Sequence, residues 1–231
     1  MEGLFSHVHD ATVRTLQVNG YDVRETTGQV CCGALHAHAG LREEARTLAR
    51  ANVAAFGPGD EPVVVNSAGC GAMLKNYGHL LPDEPAAARL AARARDVTEL
   101  LAERGPVPGA PLDLRVTYDP PCHLLHAQRV ADAPGRLFAA IPVARLMPIP
   151  DAAQCCGSAG LFTMLEPDMS RAVLAPKIEQ LRRAGSQVVA TGNPGCLMQL
   201  GAGLRAAGIA ADARHPVELL DDSYRAAGYY L

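Results

Sequence analysis

The sequence predicts an α/β fold made of two tandem repeats, each a parallel sheet with flanking helices, and three observations carry that prediction. Short apolar runs alternate with longer amphipathic stretches rich in Ala, Arg and Glu, the alternation that parallel sheets covered by helices require. A Cys-Cys-Gly doublet occurs twice, at Cys31-Cys32-Gly33 and at Cys155-Cys156-Gly157. Each doublet precedes a Val-rich run that ends at a further cysteine. The interval from Cys32 to Cys70 is 38 residues and that from Cys156 to Cys196 is 40.

Taken in order, residues 10–18 have helical spacing, and Asn19-Gly20 is a stop signal. Residues 21–23 read as a short strand leading to the first doublet. Residues 41–56 form an amphipathic helix, residues 61–65 a buried strand running into Cys70, and residues 73–80 a helix. A Val-Thr-Glu-Leu-Leu run at Val97 to Leu101 closes this copy, and Val217 to Leu220 closes the second in the same way. The Pro- and Gly-rich stretch 105–111 is the linker, which divides the chain into a first repeat at 1–104 and a second at 112–231. In the second copy residues 114–118, 144–147 and 187–190 are strands, and residues 129–141, 168–184 and 197–207 are helices. Cysteine motifs are expected at strand-to-helix turns, the edge where open α/β sheets bind ligands.

The second copy holds one cysteine more, Cys122, which lies 33 residues before Cys155. The same interval before Cys31 falls upstream of Met1. The first repeat is therefore expected to lack its early cysteine and N-terminal strand, and the chain to be the C-terminal part of a longer architecture.

Adjacent cysteines are poor partners for each other, because disulfide geometry strains so small a ring. Paired thiolates backed by a glycine suit a metal or cluster gripped by sulfur and backbone together. Seven cysteines clustered in motifs point to metal or redox chemistry rather than to a disulfide framework. Cys122, Cys155, Cys156 and Cys196 suffice for a [4Fe–4S] cluster or for tetrahedral zinc. Gly157 and Gly195 would let amides approach the sulfurs. Only Cys31, Cys32 and Cys70 are present at the first site, which is expected to be labile or empty unless His36 or His38 completes it. Those histidines, with His123 and His126, are otherwise polar loop residues, and His7 and His9 are solvated residues at a helix start. Gly69-Cys70-Gly71 lacks the full spacing of a phosphate-binding loop.

The composition sets outer bounds. Apolar residues make up 48%, charged residues 19%, and the formal net charge is −3, which leaves no basic excess for nucleic acid. No apolar run reaches the roughly 18 residues of a membrane span, and the first thirteen residues lack the basic and apolar regions of a secretory signal. No Ser/His/Asp or paired-carboxylate set stands out, so no catalytic residue is assigned.

These motifs resemble the cysteine-rich CCG domain family, and within it the C-terminal part of glycolate oxidase iron–sulfur subunits. The likeness rests on Cys31-Cys32-Gly33-Ala34-Leu35, Asn66-Ser67-Ala68-Gly69-Cys70-Gly71 with Lys75-Asn76-Tyr77-Gly78, and Cys122-His123 with His126-Ala127-Gln128. It continues through Cys155-Cys156-Gly157-Ser158-Ala159-Gly160 and Asn193-Pro194-Gly195-Cys196, and so spans nearly the whole chain. The resemblance implies an iron–sulfur electron-transfer subunit of a flavin-dependent oxidoreductase that passes electrons from glycolate towards quinone. Substrate chemistry would lie on a partner flavin subunit, in the cytoplasm or at the inner face of the cell membrane. It also implies a preceding ferredoxin-like part, absent here, and an early cysteine in a Gly-Cys-Val-Met-like segment whose methionine is Met1. Two other resemblances are the lactate-utilisation iron–sulfur protein and the heterodisulfide reductase B-type subunit. The second is weakened by Met73 and Gln199, which stand where its additional cysteines would be. A zinc-stabilised binding module is the reading from outside redox chemistry.

Overall fold

A computed structural model describes residues 3–230. Met1, on which the expectation of a truncated first motif falls, lies outside the described residues. In chain order the first half comprises α1 (Ser6–Val18), α2 (Ala34–His38), α3 (Arg42–Phe56), β1 (Val63–Val65), α4 (Ala68–Lys75), α5 (Tyr77–Leu80), α6 (Pro85–Arg93), β2 (Ala94–Asp96) and α7 (Val97–Arg104). The second half comprises β3 (Arg115–Tyr118), a π-helical turn (His123–Ala127), α8 (Ala133–Ala139), β4 (Arg145–Leu146), α9 (Phe162–Leu165), α10 (Pro167–Ala184), β5 (Val188–Ala190), α11 (Pro194–Ala206), β6 (Asp212–Arg214) and α12 (Pro216–Ala226).

All strands pair in parallel. β1 pairs with β2, and the second sheet has the order β4-β3-β5-β6. The expected α/β class with flanking helices is what the chain adopts. Helix ends follow local chemistry. Glu43 and Glu44 occupy the first turn of α3, where carboxylates favour the helix dipole. Pro167 opens α10 and Gly185, at φ 64°, closes it.

The repeated closing run has a physical meaning that the sequence reading did not state: each copy is a capping box. In α7, Thr98 N donates to Asp96 Oδ1 at 2.9 Å and Asp96 N donates to Glu99 Oε2 at 3.1 Å. In α12, Val217 N donates to His215 Nδ1 at 3.1 Å and His215 N donates to Glu218 Oε2 at 2.7 Å. Burial of Asp96 pushes its carboxyl up to about 6, and burial of His215 pushes its imidazole down to about 3.

Several expected elements differ. Residues 21–23 are not a strand: the Tyr21 hydroxyl donates to the Leu100 carbonyl and Arg104 covers the ring, so side chains rather than a ladder hold the segment. The helix expected over 129–141 shrinks to α8, because Arg129 has φ 58°. The helix expected over 73–80 breaks at Asn76 into α4 and α5, and α4 begins early enough to include Cys70.

The two halves share a core. Leu16 of α1 and Leu101 of α7 pack in one cluster with Val116, Phe138, Leu219 and Tyr224 of the second half. Arg14 of α1 makes a bidentate contact with Asp221 of α12, at 2.9 and 2.7 Å. The linker is pinned as well, with Gly109 N donating to the Ala140 carbonyl and Ala110 N to that of Ser223. Separate apolar clusters sit under each doublet. Cys32 belongs to the one around Tyr77 and Leu90, and Cys156 and Cys196 belong to the one around Ile178 and Leu200.

Candidate metal centre

Two kinds of backbone position the cysteines. The late ones lie in the first turn of a helix after a strand: Cys70 after β1, Cys196 after β5. Cys122 follows β3 and opens the π-helical turn. The doublets, expected at strand-to-helix turns, lie instead in irregular loops. Their glycines explain themselves. Gly33 and Gly157 both have φ 82°, open to glycine and strained for other residues. A Cβ at Gly33 would sit 3.2 Å from the Ala45 carbonyl oxygen of α3, and one at Gly157 would sit 2.5 Å from the Ser170 carbonyl oxygen of α10.

In the second half the thiols gather. Cys156 Sγ donates to Cys196 Sγ at 3.1 Å, and Cys122, Cys155 and Cys156 lie close enough to perturb one another's ionisation. The neighbouring Cys122 and Cys156 thiols, then the Gly157 amide and the Lys177 charge, pull the Cys155 thiol far below the usual range. The Gly157 amide is 3.3 Å from the Cys155 sulfur, the backbone approach expected there. Gly195 makes no such contact. A Cβ on it would instead lie 2.4 Å from the Ser158 hydroxyl. The Asn193 side-chain amide reaches Cys196 Sγ at 3.6 Å. Cys122 is pushed up by its neighbour Cys155, and Cys156 by Cys155 and Cys196, with burial adding to both.

The first half brings together two of its three cysteines. The Cys32 thiol is pushed up by its neighbour Cys70, with burial adding to that, and the Cys70 thiol falls to about 6 through its interaction with Cys32. Cys31 is exposed. Asn52 holds the loop around it, accepting from Val30 N at 2.9 Å and donating to the Cys31 carbonyl at 3.1 Å.

The two sites face each other across the interface between halves. Gly69 N donates to Asn193 Oδ1 at 3.0 Å, and Gln128 Nε2 donates to the Ala68 carbonyl at 2.9 Å. The rings of His38 and His123 stack at 6.0 Å. Burial lowers the His123 imidazole, and His38 adds to that. His36 has a buried Nδ1 with no hydrogen-bond partner, and His126 is exposed. His9 is more than a solvated residue, because its Nδ1 lies 3.0 Å from the side-chain amide of Asn66. His7 is largely exposed and lies 3.7 Å from Glu218.

The sequence reading missed an ion pair beneath the second site. Lys177 of α10 and Asp119, just after β3, are both fully buried and in contact. Lys177 also donates to the Ala152 carbonyl at 3.0 Å, and the Thr191 hydroxyl donates to Asp119 Oδ2 at 3.2 Å. Burial raises the Asp119 carboxyl, and the Lys177 ammonium opposes that rise. The available signal was a lysine inside the apolar stripe of α10, among Leu174, Ile178 and Leu181.

The donor chemistry fits a thiolate-bound group at Cys122, Cys155, Cys156 and Cys196: four sulfurs, two of them in an apolar cluster, with an amide aimed at a third. Among the described residues, no three His, Cys, Asp or Glu side chains already stand as a ready metal cage. The Cys156–Cys196 pair at 3.1 Å is tighter than the roughly 3.8 Å edge of a zinc–thiolate tetrahedron, so these sulfurs must part to take a metal.

Comparison with known proteins adds one family match and three relatives. A family model described as the cysteine-rich CCG domain matches residues 1–75 and 116–201. The "Probable glycolate oxidase iron-sulfur subunit" of Bacillus subtilis (strain 168) is 34% identical, covering 99% of this chain and 53% of that protein. The glycolate oxidase iron-sulfur subunit of Escherichia coli K12 is 29% identical over 95% of the chain and 55% of its own length. The chain thus spans about half the length of these two relatives. Lactate utilization protein A of Geobacillus kaustophilus is 32% identical over 94% of the chain and 93% of that protein.

Proposed function

The chain belongs to the cysteine-rich CCG domain family, and on that footing we propose that it is an iron–sulfur electron-transfer component of a 2-hydroxy-acid oxidising complex. The observation that carries this reading is the convergence of Cys122, Cys155, Cys156 and Cys196 in a chain whose relatives are named iron–sulfur subunits. A [4Fe–4S] cluster at these four sulfurs would supply one-electron transfer. The finer reading is that electrons come from glycolate oxidised on a flavin-containing partner subunit and go on towards quinone.

The residues of this chain have defined tasks in that scheme. Cys155 holds negative charge in a place where the Gly157 amide donates to it. Cys156 and Cys196 lie in the apolar cluster with Leu200 and Ile178, which keeps water from their sulfurs. Asn193 bridges the sites, with its oxygen on Gly69 N of the first and its amide on Cys196 of the second. At the first site, Cys32 and Cys70 meet while Cys31 stays exposed, which supports a weaker or empty site there. Among the described residues, no helix is long and apolar enough to cross a membrane.

A second reading, a lactate-oxidising system, is supported by likeness of similar strength. Lactate utilization protein A from Geobacillus kaustophilus is 32% identical over 94% of the chain, against 34% over 99% for the Bacillus subtilis glycolate oxidase relative. Anaerobic purification with iron, sulfide and zinc analysis and electron paramagnetic resonance tests the shared core of both readings. Iron with matching sulfide supports it, and one zinc per chain without iron overturns it. Reduction of the loaded chain by its flavin partner with glycolate, compared with lactate, then separates the two.

A further inference from the structure

We infer that Lys177 is a positioning residue for the second cysteine site, a buried cation that with Asp119 ties together the three cysteine-bearing loops and offsets the charge of a thiolate-bound group. The inference deepens the reading proposed above and rests on it.

Three contacts define the hub. Asp119, in contact with Lys177, stands three residues before Cys122. Ala152, whose carbonyl accepts from Lys177 at 3.0 Å, stands three residues before Cys155. Thr191, whose hydroxyl donates to Asp119 at 3.2 Å, stands five residues before Cys196. One buried ion pair therefore reaches each of the three loops that deliver the four sulfurs. Four thiolates carry more negative charge than a divalent metal neutralises, and in a buried site that excess is costly unless a cation is near. Lys177 supplies a cation held against the loop that leads to Cys155.

The duplicated architecture gives an internal comparison. Gly33 packs on Ala45 of α3 as Gly157 packs on Ser170 of α10. Seven residues further along each helix stand Asn52 and Lys177. Both side chains are buried and both hold the loop in front of a doublet, Asn52 by neutral hydrogen bonds and Lys177 by charge. The two sites thus differ in built-in charge at matching positions. Helix α10 also places Pro176 directly before Lys177, inside the helix.

The test uses the full-length chain with Cys31→Ser and Cys32→Ser, so that signals come from the second site. Binding of Co²⁺ alone is followed by its thiolate charge-transfer band, and the midpoint potential is measured after anaerobic reconstitution with iron and sulfide. Lys177→Met is expected to weaken Co²⁺ binding tenfold or more and to move the potential to more negative values. Lys177→Arg is expected to recover most of both, which a packing role alone would not do for the potential. If Lys177→Met fails to fold, Asp119→Asn with Lys177→Met removes both buried charges and is read in the same way. Unchanged affinity and potential in the folded variant overturn the inference and leave the four-cysteine site standing. Failure of the parent chain to bind either cobalt or iron overturns both.

Discussion

Adding one methyl group at either doublet glycine separates backbone strain from steric exclusion. Gly33 and Gly157 share φ 82°, so alanine at either position meets the same left-handed penalty, about 1–2 kcal/mol. Their surroundings differ. The new Cβ at residue 33 would rest 3.2 Å from the Ala45 carbonyl oxygen, a contact eased by a few tenths of an ångström. The Cβ at residue 157 would lie 2.5 Å from the Ser170 carbonyl oxygen, which is helix backbone and cannot move without disturbing α10. Overpacking of that kind adds about 1–3 kcal/mol. Gly157→Ala should therefore cost about 2–5 kcal/mol and Gly33→Ala about 1–2 kcal/mol. For a chain of this length the larger loss lowers Tm by roughly 4–20 °C. Urea and thermal unfolding of the metal-free, reduced chain, followed by circular dichroism, measures both without a contribution from metal binding. Equal losses at the two positions, or a larger loss at Gly33, would refute the reasoning.

Other outcomes follow from the same contacts. Asp96 binds its proton more tightly in the folded chain, at about 6, than at its ordinary value of 3.8. Stability is thus greatest below pH 4 for this group and is lost as pH rises through 6, by on the order of 3 kcal/mol. In Asp96→Asn that part of the pH profile should flatten, which urea midpoints between pH 4 and 7 will show. Arg14→Ala removes one partner of the buried Asp221 carboxylate, leaves Arg225 as its remaining ion pair, and should cost about 1–3 kcal/mol in urea unfolding. In the metal-free chain, brief treatment with iodoacetamide should label exposed Cys31 and the thiolate Cys155 first. Cys156 and Cys196 should react only on unfolding, and peptide mass spectrometry reads the order. Loading with iron and sulfide should protect Cys155 from the reagent and leave Cys31 reactive.

Local chemistry made much of this protein legible from its sequence. Helices α3 and α10 announce themselves by periodicity and end at glycines, and β1 and β5 are short apolar runs, Val-Val-Val and Val-Val-Ala. The doublets and the late cysteines disclosed a duplicated sulfur site because a repeat needs no knowledge of folding to be seen. Elements that depend on distant partners did not show. β2 and β6 are three-residue strands carrying charge, Ala-Arg-Asp and Asp-Ala-Arg, and they become strands only by pairing with β1 and β5. Tyr21 to Val23 has strand-like residues and no ladder, since Leu100 and Arg104 engage Tyr21 instead.

The sequence by itself determined which atoms are available for chemistry: two unequal sets of cysteines, with glycines where backbone must pass close to a helix. Tertiary structure alone decided how those sulfurs are arranged and charged. It brings Cys122 near Cys155 and joins Cys156 to Cys196, and turns the two sites towards each other through Asn193 and Gly69. It also buries Lys177 against Asp119, 58 residues away along the chain. Periodicity and capping act within a few residues and leave their mark on the sequence. Burial and Coulomb attraction act through space, so the partner that keeps a buried charge tolerable appears only when the chain has folded.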